Sequence, residues 1–320
     1  MKNFMCALLI SLFFGGVAFA AAGSDLIVDT SYVMDKSGKP GWVTMDMSSP
    51  DGYSEGHIPG AVSLPEWVSR AYAEDTKRSE SMLRRMEQTL GEMGISNDSH
   101  VIVYGQPSHT HWNAVMFWML EALGCNSALS KCTVQYYDGG VKRWQQDGGK
   151  VEQKETKLPS VTFKAVSGAK RRAMLGEMLD AVKDRKKAHI IDVRTEGEYA
   201  GTDVRALRGG HIPGAVNIDY AKNFDRETYR MFPSSDLKPL YKDVPLDSRV
   251  ITHCQTGQRA AYTYLVLRAL GYQNVAIYDD GWRVYGSNLA NPAEDETWFD
   301  FTKVNSALKA VKELEKAVPK

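Results

Sequence analysis

A seven-residue string, GHIPGAV, occurs twice in this chain, at 56–62 and at 210–216. Other segments repeat in the same order: MLEALGC precedes VQYYDGGVKRW in the first half, and VLRALGY precedes VAIYDDGWRVY in the second. Three ordered matches are too many for chance, so the chain contains an internal repeat. Because 320 residues is also long for one hydrophobic core, we expect two copies of one folded unit.

Each copy predicts a parallel α/β unit. Upstream of each GHIPGAV, an apolar, β-branched strand ends on an aspartate, Asp46 or Asp192, and a tyrosine follows seven residues later. Segments with helical spacing of apolar residues, such as Arg172–Lys183 and Ala260–Leu270, alternate with the strands. This alternation is typical of a mainly parallel sheet flanked by helices.

The N-terminus predicts export. Residues 1–20 contain one lysine, then an apolar run, then small residues at Ala18 and Ala20, which is typical of a secretory signal peptide cut after Ala20. Its apolar run is too short for a membrane span, so we expect no span once the signal is removed. The mature protein is therefore predicted to be periplasmic or secreted.

Composition predicts the remaining boundaries. The first unit is expected at 24–148, a polar linker with glycines and a proline at 149–166, and the second unit at 167–301. The tail at 302–320 has amphipathic spacing and is predicted to form a C-terminal helix.

The charge balance argues against nucleic acid as a partner. Loss of Lys2 with the signal leaves 38 basic and 39 acidic residues, which are interspersed along the chain. The densest basic run, Lys183–Lys187, is typical of a solvated helix end.

Cysteine usage singles out one residue. Cys6 leaves with the signal, and the spacing of Cys125 and Cys132 in an oxidising compartment favours a small disulfide loop over two unpaired thiols. Cys254 then has no partner. An unpaired cysteine in an exported protein is more often reactive than idle.

The segment around Cys254 predicts a nucleophile. Val250–Thr252 is expected to be a buried strand and Cys254–Arg259 a tight loop before the helix Ala260–Leu270. The backbone N–H groups of such a loop and the positive end of the following helix both favour an anion, and thus the thiolate. In the first copy, Gly105 stands in place of Cys254, so that copy has no nucleophile.

Five motifs follow one another in the second half: a strand ending Asp-Val-Arg, then Glu-Tyr, GHIPGA, the cysteine loop and Tyr-Asp-x-Gly. In this order they resemble the motifs of the tandem-domain rhodaneses. These are sulfurtransferases that act on thiosulfate or 3-mercaptopyruvate, and the resemblance runs from about Leu26 to Asn288. It implies two rhodanese-like domains, an inactive N-terminal one and a catalytic C-terminal one, with the active site between them. It also implies a persulfide on Cys254 and no metal or organic cofactor.

The resemblance implies roles for the residues around Cys254. The loop residues Gln255, Thr256, Gly257, Gln258 and Arg259 are expected to surround the sulfur and contact the substrate. Arg259 either orients the loop and attracts an anionic donor or pairs with a carboxylate at the start of the helix. Asp192 and Arg194 are assigned supporting roles: Asp192 either accepts hydrogen bonds from loop groups or caps a neighbouring turn at the strand end, and Arg194 is expected to be a structural ion-pair partner. In the first copy, Ser48 stands in place of Arg194, and eight fewer residues separate the tyrosine from GHIPG.

The histidines are expected to be structural. His253 precedes the nucleophile but should point away from it, because successive strand residues face opposite sides. His57 and His211 lie in the repeated string of both copies and are assigned to its turn. His109 and His111 favour a loop facing the interdomain cleft over a metal site, because no cysteine or carboxylate cluster completes a ligand set.

The loop length separates this chain from the cysteine phosphatases, which place five residues between cysteine and arginine, whereas this chain has four. The donor stays open between thiosulfate, 3-mercaptopyruvate and polysulfide, and the acceptor is a thiol or cyanide. Two alternatives differ in kind: a persulfide carrier that binds an exported redox protein, and a structural protein without catalysis.

Overall fold

The computed structural model describes residues 24–64, 80–166, 170–300 and 302. The predicted signal peptide and nearly all of the predicted C-terminal helix lie outside the described residues.

The first unit is built on five parallel strands in the order β1-β5-β4-β2-β3. The central strand is fully buried at Val101, Ile102 and Val103, because helices cover both faces of the sheet. The strands are β1 (Ile27–Val28), β2 (Trp42–Asp46), β3 (Val62–Ser63), β4 (His100–Tyr104) and β5 (Thr133–Tyr137). The helices are α1 (Thr30–Lys36), α2 (Pro50–Glu55), α3 (Glu80–Glu92), α4 (Thr110–Ala122) and α5 (Gly140–Gln146).

The second unit repeats this topology with four parallel strands in the order β7-β6-β8-β9. The strands are β6 (His189–Asp192), β7 (Val216–Asn217), β8 (Val250–His253) and β9 (Val275–Ile277). The helices are α6 (Leu175–Lys183), α7 (Glu196–Tyr199), α8 (Ser234–Leu237), α9 (Gln258–Ala269) and α10 (Gly281–Tyr285). The prediction of two mainly parallel α/β units is confirmed.

The predicted helix Arg172–Lys183 is three residues too long at its start. Arg172 forms a parallel bridge with Ile277, where the N–H of Ala173 donates to the Ile277 carbonyl at 2.9 Å. The bridge extends the second sheet beyond β9, at the edge that corresponds to the one formed by β1 in the first sheet. The helix therefore begins only at Leu175.

The repeated string folds in the same way in both units. Tyr53 stacks on His57 and Tyr199 on His211, each with 3.7 Å between ring centroids. The Tyr53 hydroxyl donates to the carbonyl of Ala61 at 2.7 Å, and that of Tyr199 makes the equivalent bond at 2.8 Å. Both histidines are buried and bond to backbone carbonyls, in keeping with the expected turn role.

The two units share a helix interface. Helices α4 and α9 pack against each other, and their buried residues belong to one continuous hydrophobic core. At its far end, Glu121 accepts hydrogen bonds from Arg268 at 3.0 and 3.1 Å and from the hydroxyl of Tyr264. Since α4 and α9 each begin shortly after a central strand, the loops after β4 and β8 lie at the same end of this interface.

A second contact between the units involves a buried carboxylate. Asp138 accepts a hydrogen bond from the N–H of Met231 at 2.8 Å, and its Oδ1 has no hydrogen-bond partner among the described residues. Burial raises the pKa of Asp138 to about 6. Asp138 is therefore mostly ionised at neutral pH, but its ionisation costs more free energy in the folded protein than in the unfolded chain.

We expect Asp138→Asn to stabilise the protein at pH 7. The folded-state pKa lies above the ordinary value of 3.8, so the wild type loses stability from this group as pH rises through the interval up to about 6. The variant lacks this loss, and its advantage should be about 3 kcal/mol at pH 7 and vanish below about pH 4. Urea unfolding across this range measures the difference, with the exposed Asp243→Asn as a control; equal curves for wild type and Asp138→Asn would contradict the assignment.

Candidate active site

Cys254 lies at the carboxyl end of β8, at the centre of the second sheet. Its thiol is free and its side chain is 1% exposed. Of the expected ring of backbone donors, the N–H of Gly257 reaches Sγ at 3.1 Å. This hydrogen bond favours a sulfur anion, as does the start of α9 immediately after it.

Gly257 has the backbone conformation that this bond requires. Its φ is +94°, and a Cβ at this position would lie 3.1–3.2 Å from atoms of Asp279. Glycine adopts such a φ without steric cost. Helix α9 begins at Gln258, two residues earlier than predicted, so Arg259 lies in its first turn and not in the loop.

Helix α10 fixes the loop through hydrogen bonds to two of its carbonyl groups. The N–H of Trp282 donates to the carbonyl of Cys254 at 2.8 Å, and that of Arg283 to the carbonyl of Gln255 at 3.0 Å. A Cβ on Gly281 would lie 2.5 Å from the Gln255 carbonyl oxygen. The glycine of the repeated Tyr-Asp-x-Gly motif thus allows α10 to approach the cysteine loop.

The remaining loop side chains point in different directions. The Nε2 of Gln255 donates to the carbonyl of Arg205 at 2.8 Å, and the hydroxyl of Thr256 bonds to Oε1 of Gln258. Thr256 is the half-buried member of the loop, whereas Gln255 and Gln258 are buried. Arg205 belongs to the extra segment between Tyr199 and GHIPG that the first copy lacks, so this segment lies against the loop.

Arg259 forms a bidentate ion pair with Glu198, with Nη1–Oε2 and Nη2–Oε1 distances of 2.6 and 2.9 Å. Of the two roles predicted for Arg259, pairing with a carboxylate is therefore the one seen. Burial alone would raise the pKa of Glu198, but the hydrogen bonds and charge of Arg259 lower it. Sequence reasoning did not single out Glu198, although the Glu-Tyr pair in the motif was a signal for it.

Asp192 and Arg194 form a second ion pair under the loop. Both are buried; Nε of Arg194 lies 2.9 and 3.0 Å from the two carboxylate oxygens, and Nη2 lies 2.6 Å from Oδ2. Burial alone would raise the pKa of Asp192, but the facing His253 and Arg194 hold it below its usual value. The Arg194 guanidinium also stacks on Trp282, 4.8 Å from the ring centroid, and so braces the start of α10.

His253 is fully buried beneath the loop. Its Nε2 lies 3.6 Å from Oδ2 of Asp192, and burial lowers its pKa despite this neighbour. No hydrogen bond between His253 and Sγ of Cys254 occurs among the described residues, in keeping with the expectation that it is not a Cys-His pair.

The first copy has the same backbone frame without a nucleophile. The N–H of Ser48 donates to Oδ1 of Asp46 at 2.7 Å, as that of Arg194 does to Oδ1 of Asp192 at 3.0 Å. Burial raises the pKa of Asp46, which has no arginine at the Ser48 position. At Gly105, a Cβ would lie 2.4 Å from Oδ1 of Asn113, so the side chain of Asn113 fills the place of a cysteine.

His111 of the first unit lies in the first turn of α4, and not in a loop as expected. Its ring lies 5.9 Å from that of Tyr220 in the second unit, edge to face. Burial, His109 and the charge of Arg259 lower the pKa of His111 to about 4, so its imidazole is neutral at pH 7. Among the described residues, no group of three or more histidine, cysteine or acidic side chains is arranged to hold a metal ion.

Cys125 and Cys132 are joined by a disulfide, with a Cα–Cα distance of 4.5 Å. It closes the turn that follows α4, where Asn126 bonds to Glu121 at 3.0 Å. Within the described part of the chain, no helix has the length and hydropathy needed to cross a membrane.

The model of the rhodanese-like domain matches this chain twice, over residues 29–147 and 175–288. The chain belongs to the rhodanese-like domain family. The two matches correspond to the two α/β units, and the second contains the Cys254 loop. The resemblance seen in the sequence motifs is confirmed at the level of the family.

Curated relatives of this rhodanese-like protein are sulfurtransferases. It is 33% identical over 258 residues to a putative thiosulfate sulfurtransferase of Saccharopolyspora erythraea, covering 76% of this chain and 86% of that one. It is 30% identical over 295 residues to the thiosulfate sulfurtransferase of Corynebacterium glutamicum, covering 85% and 91%. These relatives confirm the prediction that the protein is an enzyme of the sulfurtransferase class.

Solved structures agree on the fold. SseA from Escherichia coli, described as a 3-mercaptopyruvate sulfotransferase with the rhodanese fold, has a TM-score of 0.65 and 26% identity, covering 80% of this chain and 98% of its own. The wild-type structure of EanB has a TM-score of 0.72 but 18% identity, covering 86% and 70%, and so supports the fold alone.

We expect Gly257→Ala to reduce sulfurtransferase turnover about a hundredfold, because the positive φ would be strained and the N–H would move away from Sγ. Gly148→Ala is the matched control. Gly148 also has a positive φ, +88°, but a Cβ there meets nothing within 4 Å. Steady-state rates, read beside the unfolding midpoint of each variant, make the comparison. Equal losses of activity in both variants would show that backbone strain alone, and not the bond to sulfur, is responsible.

Proposed function

We propose that this protein transfers a sulfane sulfur from a small anionic donor, thiosulfate in the first instance, to a thiol or cyanide acceptor through a persulfide on Cys254. The observation that carries the proposal is the free thiol of Cys254, whose Sγ accepts the N–H of Gly257 at the start of α9. A sulfur anion placed there is stabilised without a metal or cofactor.

The proposed chemistry has two steps. The Cys254 thiolate attacks the outer sulfur of thiosulfate, the sulfur–sulfur bond of the donor breaks, and sulfite leaves with its electron pair. Cyanide or an acceptor thiolate then attacks the terminal sulfur of the persulfide, and Cys254 leaves as the thiolate. Charge and atoms balance in both steps, no oxidant is needed, and ping-pong kinetics are expected.

The surroundings of the sulfur support a small donor. Cys254 is almost fully buried and Arg259 lies in the adjacent first turn, so a compact anion suits the site better than a bulky group. The identity to SseA keeps 3-mercaptopyruvate as a second donor, and polysulfide is a third. Delivery of the persulfide to an exported redox protein is an alternative to turnover with small acceptors.

We propose that the first unit is catalytically inactive. Asn113 occupies the space next to Gly105, and Arg194 has no counterpart at Ser48. Its contribution to the reaction is then the cleft wall that carries His111.

Thiocyanate formation tests the proposed activity. With cyanide as acceptor and thiosulfate, 3-mercaptopyruvate and polysulfide as parallel donors, we expect turnover by the wild type and only background by Cys254→Ser, because serine cannot carry the persulfide. Mass spectrometry of the donor-treated wild type should show one extra sulfur on Cys254. Equal thiocyanate production by both proteins would overturn the assignment. Persulfide formation without turnover would favour the carrier function.

We also propose that the protein is exported and acts in the periplasm or outside the cell. The supporting features are the signal-like residues 1–20 and the disulfide between Cys125 and Cys132, a bond typical of oxidising compartments. Mass analysis of the unreduced protein purified from its source should give an N-terminus at Ala21, linked Cys125 and Cys132, and Cys254 outside any disulfide. An intact N-terminus with reduced cysteines would contradict export.

A further inference from the structure

Glu198 is the carboxylate that pairs with Arg259, and both of its oxygens accept further contacts. Besides the two bonds to Arg259, Oε1 lies 3.3 Å from Nη1 of Arg205, and Oε2 accepts from the N–H and the hydroxyl of Thr195, both at 3.3 Å. The Thr195 bonds form a capping box at the start of α7. Glu198 is 1% exposed, so this carboxylate is a fixed charge.

Arg259 interacts with more than one acidic group. It is bonded to Glu198, and in the first turn of α9, directly after the cysteine loop, it also feels the charges of Cys254 and Asp192. Its guanidinium is 14% exposed, and although burial lowers its pKa, the bonds to Glu198 and the charge of Cys254 raise it above its usual value. A cation that is screened so little by water interacts strongly with both partners.

We propose that Glu198 is a positioning residue that neutralises part of the Arg259 charge and thereby sets how strongly Arg259 stabilises the sulfur anion on Cys254. This inference rests on the proposed function, because it concerns the same sulfur. Without the Glu198 charge, less of the Arg259 charge would be compensated, and its attraction for the Cys254 sulfur would increase. The thiolate would then form more readily but be a weaker nucleophile, because thiolate nucleophilicity falls with basicity.

Other groups face the sulfur or its loop and stay unchanged in the test. They are Arg205 and Asp279 beside the loop, Asp192, Arg194 and His253 beneath it, and Tyr220 and His111 across the cleft. None of them shares the bidentate bond to Arg259. Glu198→Gln therefore acts mainly on Arg259, and to a lesser degree on the exposed Arg205, whose contact with Glu198 is a single one at 3.3 Å.

The test is the pH dependence of iodoacetamide alkylation of Cys254 in the full-length mature protein. Glu198→Gln keeps a residue that can cap α7 but removes the charge. We expect the alkylation midpoint to move down by about one pH unit and the limiting rate at high pH to fall about threefold. The KM for thiosulfate should fall as well, because the dianion meets an uncompensated guanidinium.

Two further variants separate charge from structure. Glu198→Asp keeps the charge, so its midpoint should stay at the wild-type pH even if the rate changes. Glu177→Gln removes one partner of another bidentate pair in the same unit, with Arg249 at 2.8 and 3.3 Å, and should leave both midpoint and rate unchanged.

A slower reaction of Glu198→Gln at every pH with an unmoved midpoint would overturn the inference and leave Glu198 a structural residue. Alkylation requires only the free thiol, so this result is independent of persulfide formation. Absence of a persulfide in the wild type would overturn the proposed function instead, and the two failures are thus distinguishable.

Discussion

The hydrogen bonds between α10 and the cysteine loop determine the geometry of the site. The N–H groups of Trp282 and Arg283 hold the carbonyls of Cys254 and Gln255, which turns the loop so that the N–H of Gly257 faces Sγ. This approach is open only to glycine at Gly281, where any Cβ would meet the Gln255 carbonyl. Cys254 is therefore positioned by backbone contacts from a segment more than twenty residues away in sequence.

The two units share the contacts of their scaffold and differ around the position of Cys254. The buried aspartate at the strand end, the tyrosine stacked on the histidine and the hydroxyl bond to the following alanine are the same in both units. The two units differ at the loop itself, with Gly105 against Asn113 in one and Cys254 against Gly257 in the other. They also differ beside the loop, where Ser48 stands in place of Arg194. The contacts that both units share stabilise the fold, whereas the residues that differ lie around the proposed site.

Two buried carboxylates beside the cysteine loop are each paired with an arginine. Asp192 with Arg194 and Glu198 with Arg259 each satisfy both partners, as burial of ionised groups demands. In the first unit, where Ser48 replaces the arginine, the pKa of Asp46 rises instead. Both pairs lie in the unit that contains Cys254, where they fix the charges beside its sulfur.

The sequence by itself determined the duplicated parallel α/β architecture, the identity of Cys254 as the unpaired thiol and the presence of Gly105 in place of a second cysteine. Repeats, strand patterns and residue identity can all be read from the chain alone. The sequence also indicated that Arg259 had two alternative roles without deciding between them. Only the tertiary structure decided that Arg259 pairs with Glu198, that α9 begins at Gln258 and that α10 holds the loop. These features depend on contacts between segments far apart in sequence, whose distances no local pattern of residues encodes.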